Sequence, residues 1–310
     1  MKKKLIIGTR PSKLAVAQTQ IVVKKLKKEH PQLKYEIKKI QTDGDRRLDK
    51  KLSELQSKGL FVKEIEIALL NGEIDVAVHS AKDLPTKLPE ELEVAVIADR
   101  ANPLDTLVGS GEMCITDLPP GARLGTGSLR RRSQLLNYRN DLEIIPVRGN
   151  VDTRIKKMDE KNLDGLILAA SGLERLNLEN EISEYLDPEI CLPAARQGAI
   201  ALEIRRKDQG IKERLKKVES REIAYPVLAE QSFLSYLEAG CHAPIAAYGQ
   251  IIEGELSITG AIGRIDGSKV YRESITTDRI SARKTGIILA EKLLAKGADR
   301  IMIELREELN

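Results

Sequence analysis

A short apolar strand, a tight turn and a helical pattern follow one another twice in this chain, and that unit restricts the fold to the α/β class. Leu5-Ile6-Ile7 runs into Gly8-Thr9-Arg10-Pro11-Ser12 and then a helix-spaced segment through Leu26. Ala122-Arg123-Leu124 runs into Gly125-Thr126-Gly127-Ser128 and a similar segment through Tyr138. Ser12 and Ser128 stand where helix N-caps belong, with Pro11 or the glycines shaping the turn before them. Further on come Ile74-Asp75-Val76-Ala77-Val78-His79-Ser80 and Leu166-Ile167-Leu168-Ala169-Ala170-Ser171, apolar runs that read as buried parallel strands. Residues up to about 200 are thus expected to form two α/β domains of related layout.

The pattern changes after that. A helical stretch from Arg221 to Glu238 stops at Ala239-Gly240. Alternating runs at 246–251, 256–262 and 269–274 are separated by Glu253-Gly254 and Asp266-Gly267, dipeptides suited to hairpins. A last helix is expected over 282–296. This reads as a small α+β domain with helices on an antiparallel sheet. The densely charged segment 42–59 carries Leu48, Leu52 and Leu55 at helical spacing, and is expected to be a mobile lid rather than a plain exposed helix.

Composition narrows the function. A chain of 310 residues has room for two or three domains. Its 51 basic against 47 acidic residues leave a net charge of +4, too little to imply nucleic-acid binding. Seven Tyr, two Phe and no Trp offer few surfaces for stacking bases. The apolar run after the basic head Met1-Lys2-Lys3-Lys4 is too short for a secretory signal, and no stretch approaches a membrane span. A cytoplasmic protein with no membrane partner is the expectation. The three cysteines, Cys114, Cys191 and Cys241, are widely spaced and only three histidines accompany them, so neither a disulfide framework nor a metal site is expected.

Arginines carry the strongest chemical signal. Arg130-Arg131-Arg132 falls in the first turn of the helix after Ser128, and Arg154 in the first turn of one beginning near Asn150, just behind Arg148. Cations there oppose the helix dipole, and breaking that rule twice points to function. Free backbone N–H groups with guanidinium forks suit carboxylates or phosphates. Arg10 follows the first strand in the same way. A solvated basic surface is the ordinary reading of any one such run, and three placements after strands weigh against it. Lys82-Asp83 follows the strand ending at Ser80, where open α/β sheets bind ligands, although a turn Asp before Leu84-Pro85 would look the same. Cys241, in a turn rather than an apolar run, is the best of the three thiols for covalent work; the adjacent His242 is given little weight.

Six ordered segments then identify a resemblance. They are Gly8-Thr9-Arg10-Pro11-Ser12-Lys13-Leu14-Ala15, Lys58-Gly59-Leu60-Phe61-Val62-Lys63-Glu64, Val78-His79-Ser80-Ala81-Lys82-Asp83-Leu84-Pro85, Gly125-Thr126-Gly127-Ser128-Leu129-Arg130-Arg131, Arg148-Gly149-Asn150-Val151-Asp152-Thr153-Arg154 and Gly240-Cys241. With them the chain resembles, over nearly its whole length, the hydroxymethylbilane synthase (porphobilinogen deaminase) family of tetrapyrrole and heme biosynthesis. The resemblance implies an α/β fold of two periplasmic-binding-protein-like domains with a hinge, plus a small C-terminal α+β domain. The expected boundaries are residues 1–99 with a return segment 200–217, residues 100–199, and residues 218–310.

It further implies a transferase that joins four porphobilinogen molecules head to tail with loss of ammonia, then releases hydroxymethylbilane. A dipyrromethane cofactor would be held by a thioether to Cys241. Asp83 would serve the chemistry, holding pyrrole N–H groups and offsetting the positive charge of the electron-poor carbon left by ammonia. Arg10, Arg130, Arg131, Arg148 and Arg154 would bind acetate and propionate side chains. Ser80, Lys82, Thr126 and Ser128 fall on further cofactor-contacting positions, and Ser12 on a substrate-binding one. No metal is required, and a monomer is expected. Two departures are visible: Ala195-Arg196-Gln197-Gly198 replaces the usual Val-Gly-Gln-Gly, and Ala239 a second Gly before Cys241. A non-catalytic solute-binding module or a transferase for another anionic substrate are the alternatives, separated from this reading by ammonia release from porphobilinogen.

Overall fold

The computed structural model describes residues 3–46, 62–109, 111, 113–238 and 243–309. Cys241 and His242, and all but the start of the charged segment expected to be a lid, lie outside the described residues.

The chain divides into two compact units, Met1–Ala101 with Gly198–Ala224, and Asn102–Gln197 with Tyr225–Asn310. In the first, β1 (Lys4–Thr9) leads to α1 (Lys13–Glu29), β2 (Lys34–Lys39), a single turn α2 (Asp43–Arg46), α3 (Lys63–Leu70), β3 (Val76–Ser80) and β4 (Leu92–Arg100). The sheet is completed by β10 (Ala199–Arg205), followed by α7 (Gln209–Leu215), in the order β2-β1-β3-β10-β4. β1, β2 and β3 are parallel, as the apolar runs of β1 and β3 suggest for those two, and β10 is antiparallel to both neighbours. β3 is buried on both faces, and its side chains alternate between them: Val76 and Val78 join a core with Val22 and Leu26 of α1, and Ala77 joins Ile65 and Leu69 of α3 on the other face. Ser12 caps α1 as expected, its side chain accepting from the Ala15 amide.

The second unit contains a sheet of the same plan. β5 (Asp105–Val108), β6 (Arg123–Gly125), β7 (Glu143–Ile145), β8 (Gly165–Ala169) and β9 (Ile182–Tyr185) lie in the order β7-β6-β8-β5-β9. Here again the fourth strand, β5, is antiparallel to its neighbour β8. In each sheet this reversed strand is the first one formed after the chain enters the unit from the other, at 101–102 or 197–198. α4 (Leu129–Tyr138), capped by Ser128, contributes Leu135 to the core on one face; α5 (Val151–Glu160) packs Val151, Ile155 and Met158 on the other. α6 (Ala170–Glu174) follows β8 directly.

The same unit carries a separate three-stranded antiparallel sheet of β11 (Ile245–Ile252), β12 (Glu255–Gly263) and β13 (Val270–Asp278). Glu253 and Gly254 both have positive φ, 51° and 86°, as a two-residue hairpin turn of the mirror-image type requires. α8 (Arg221–Tyr236), α9 (Ala282–Leu293) and α10 (Asp299–Leu309) share a core with it through Phe233, Ile258, Leu289 and Ile301. α10 is not among the helices expected from the sequence. Leu192 packs on Ala246 and Ala261, and Asn137 Nδ2 donates to the Gly267 carbonyl at 3.0 Å, fixing this sheet against the α/β part of the unit.

Candidate active site

In each unit the residues singled out from sequence lie where parallel strands end, because strand-to-helix turns expose backbone N–H groups there. In the first unit Arg10 and Ser12 follow β1, while Ser80 ends β3 and Lys82 and Asp83 form the 3₁₀ turn Ala81–Asp83. Ser80 Oγ and the Gln18 side chain are hydrogen-bonded at 2.9 Å, tying this turn to α1. Leu84 is buried beneath the turn and Asp83 is exposed, with no hydrogen-bond partner among the described residues.

Arg10 is held by an acid that the sequence reading did not single out. Its Nε and Nη2 approach Asp45 Oδ1 at 3.2 and 2.5 Å, and Thr42 Oγ1 donates to Asp45 Oδ2 at 2.8 Å. Burial would raise the Asp45 pKa, but hydrogen bonds and charge from Arg10, with help from Thr42, hold its carboxyl below the usual range. His79 is packed in the core, its Nε2 2.9 Å from Glu203 Oε2.

In the second unit the turn after β6 lies against the turn after β7. Thr126 N donates to the Ile145 carbonyl, and Thr126 Oγ1 accepts from Ser128 N at 3.3 Å. A Cβ at Gly127 would stand 2.9 Å from the Val147 carbonyl oxygen and 3.6 Å from Arg148 Cγ, so only glycine lets the two turns meet this closely. Arg154 Nε donates to the Gly149 carbonyl at 2.7 Å and Lys157 Nζ to that of Arg148, bracing the second turn from α5. Partial burial holds the Arg148 guanidinium below its usual pKa. Thr126, Ser128, Arg148 and Arg154 are therefore brought together by two adjoining turns.

Arg130 and Arg131 depart from the exposed basic rim that the sequence suggests. Both are buried, 4% and 5% exposed, around the fully buried Asp105 at the start of β5. Arg130 Nη1 donates to Asp105 Oδ2 at 2.6 Å and to the Leu192 carbonyl at 2.7 Å. Arg131 donates to Asp105 Oδ1 from Nε and Nη2 at 3.0 and 2.7 Å, and from Nη1 to the Ile167 carbonyl at 2.7 Å. The reason is electrostatic: a guanidinium inside a protein requires a carboxylate and carbonyls to replace water. Burial pushes the Asp105 pKa up, and the two arginines outweigh it, leaving the carboxyl well below its usual range. Nε and Nη2 of Arg130 remain without a protein partner among the described residues. Sequence gives one faint signal of Asp105, an acid opening the apolar run Thr106-Leu107-Val108.

Comparison with known proteins decides what this arrangement belongs to. Residues 5–213 match the family described as "Porphobilinogen deaminase, dipyromethane cofactor binding domain", and residues 224–295 the "Porphobilinogen deaminase, C-terminal domain". The chain belongs to the porphobilinogen deaminase family. It is 46% identical over 309 residues to the porphobilinogen deaminase of Natranaerobius thermophilus, covering 98% of this chain and 99% of that one. It is 45% identical over 310 residues to that of Carboxydothermus hydrogenoformans, covering all of both chains. Among solved structures it is similar to the methionine-binding protein MetQ at a TM-score of 0.46 and 12% identity, over 74% of this chain and 95% of that one. As a porphobilinogen deaminase family member, the chain is a transferase of tetrapyrrole biosynthesis that builds hydroxymethylbilane from porphobilinogen with a dipyrromethane cofactor.

The residues present fit such a cofactor. Its acetate and propionate groups require cationic and hydroxyl donors, and the second unit supplies Thr126, Ser128, Arg148, Arg154 and the two uncommitted nitrogens of Arg130 around the ends of β6 and β7. Among the described residues no group of three or more His, Cys, Asp or Glu is placed to hold a metal, and no helix is long and apolar enough to cross a membrane.

Proposed function

We propose that the reaction is divided among these residues by charge. Arg130, Arg148 and Arg154, with Thr126 and Ser128, hold cofactor and substrate carboxylates in the second unit, and Arg131, its fork taken up by Asp105 and Ile167, adds its charge beside them. Arg10 and Ser12 do so in the first, beside Ser80 and Lys82. Cys241 carries the covalent attachment. Dipyrromethane supplies the nucleophilic pyrrole α-carbon on which the chain is extended. In each addition a carbon–carbon bond forms to the aminomethyl carbon of porphobilinogen, its carbon–nitrogen bond breaks, ammonia leaves, and the α-hydrogen departs as a proton.

Asp83 is the group placed to assist that exchange. Its carboxylate accepts pyrrole N–H groups and offsets the positive charge that develops as ammonia leaves, while the arginines fix the ring. The observation that carries this reading is an exposed carboxylate at a strand end without a partner among the described residues. Cytoplasmic location, a monomeric state, and residues 218–310 as a third domain belong to the same proposal; the last is supported by a sheet and core of its own.

The test is single-turnover ammonia release from full-length protein whose cofactor content is read by intact mass. Cys241→Ser is expected to lack the two-pyrrole adduct, which persists when Cys114 or Cys191 is replaced. Loaded Asp83→Asn is expected to be about 10²- to 10³-fold slower, the usual loss for one preorganised electrostatic group. Turnover within about threefold of wild type, under ~0.7 kcal/mol, would reduce Asp83 to a turn residue.

A further inference from the structure

Two cations and one anion meet where β5 begins and α4 starts, and their charges do not cancel. Arg130 and Arg131 are the second and third residues of α4, whose N-terminus adds further positive potential. Among the described residues Asp105 is the one carboxylate within ion-pair distance of either guanidinium. It is also saturated. Oδ1 accepts from Arg131 Nε and Nη2 and from Gln197 Nε2 at 2.8 Å; Oδ2 accepts from Arg130 Nη1 and from the Cys191 thiol at 3.3 Å. Five donors from three separate segments fix both oxygens, and Gln197 Nε2 donates also to the Pro103 carbonyl at 2.7 Å, anchoring the strand that carries the acid.

We propose that Asp105 is a positioning residue for tetrapyrrole assembly: it fixes the Arg130 and Arg131 guanidiniums and leaves one uncompensated positive charge that draws a carboxylate of the cofactor to Arg130 Nε and Nη2. The inference rests on the cofactor-binding reading of these arginines and adds the part that orients them. With two carboxylates at this place the arginines would be neutralised and a further anion would gain little. With none, two desolvated guanidiniums would repel each other and turn outward. A single carboxylate gripping both, one oxygen to each, gives preorganisation together with a residual charge.

Cofactor content by intact mass, together with steady-state kinetics on the full-length protein, tests this. Asp105→Asn is expected to lower the loaded fraction at least about tenfold, because a guanidinium displaced by ~1 Å forfeits most of its effect. Asp105→Glu keeps the charge between the two guanidiniums, so it carries the test if the Asn variant does not fold. It is expected to load, but with KM for porphobilinogen raised about fivefold and kcat within about twofold, since the fork is shifted by one methylene. A purely structural acid would leave KM of the folded Glu variant unchanged. Wild-type loading and KM in Asp105→Glu, or wild-type loading in a folded Asp105→Asn, overturns the proposal. Normal loading of Arg130→Leu would instead overturn the underlying reading of the arginines, so the two failures are distinguishable.

Discussion

Adding one methyl group to Gly286 separates helix packing from helix propensity. Gly286 lies within α9 where it crosses α8, and an ideal Cβ there would stand 2.1 Å from the Ala229 carbonyl oxygen and 2.9 Å from the Phe233 amide nitrogen. A carbon–oxygen contact of about 3.3 Å is the closest ordinary approach, so the helices must separate by about 1 Å. Both obstructing atoms are backbone, and no side-chain rotation relieves them. Overpacking of this kind costs about 1–3 kcal/mol, here toward the upper end, and alanine's higher helix propensity returns about 1 kcal/mol. Gly286→Ala is therefore expected to destabilise its unit by ~2 kcal/mol, read as roughly 30-fold faster native-state hydrogen exchange of the slowest α9 amides. Gly210, in α7 of the other unit, supplies the opposite case, because a Cβ there meets nothing within 4 Å. Gly210→Ala is expected to stabilise by about 0.4–1 kcal/mol through the unfolded chain alone. Unchanged or slower α9 exchange in Gly286→Ala would refute the close-approach argument, as would equal destabilisation by both substitutions.

Cys191 is expected to resist alkylation in the native protein: burial and the charge of Asp105 push its thiol up to about 12, so at pH 8 iodoacetamide should label it about 10³-fold more slowly than an unfolded cysteine, as peptide mass would show. Stability should also report Asp105 on acidification. Its folded pKa lies below its unfolded value of ~3.9, so its contribution is complete above about pH 5 and shrinks as pH falls through about 4, where the unfolded chain takes up the proton first. Urea unfolding of wild type and Asp105→Asn should therefore draw together progressively below about pH 4; a difference that stays constant from about pH 4 to about pH 2.5 would contradict the buried-pair geometry.

Local rules explain which parts of the fold were legible from residues alone. Ser12 and Ser128 cap their helices, and Glu253-Gly254 makes its hairpin, because side-chain oxygens and positive φ act within a few residues. The direction of β5 and β10 was not legible, since a strand buried on both faces reads as an apolar run whichever way it points. α10 was missed although Ile301, Met302 and Leu305 are spaced for one buried face; its charged flanks obscure a short pattern. Arg196 stands at φ 63° where the family pattern has glycine. Its buried side chain donates to Gln231 Oε1 at 2.6 Å, a tertiary contact that no local pattern announces.

The two acids that matter most here differ by what surrounds them rather than by sequence. From spacing alone Asp83 reads as a turn residue before Leu84-Pro85, its chemical role entering with the family resemblance, and Asp105 gives almost no signal at all. Asp105 has five donors on two oxygens and no exposure, so it has no capacity left for a ligand and acts through the arginines it holds. Asp83 has the opposite condition: exposed on a 3₁₀ turn, without a protein partner among the described residues, it keeps its acceptor capacity for an incoming N–H. Arg130 is divided in the same way within a single side chain, Nη1 committed to Asp105 and Leu192, Nε and Nη2 not. A polar group that folding has satisfied is structural, and one left unsatisfied at the end of a parallel strand is available to chemistry. On that criterion Asp83 and, separately, the outer edge of Arg130 keep the capacity that their proposed roles require, and Asp105 determines where that edge lies.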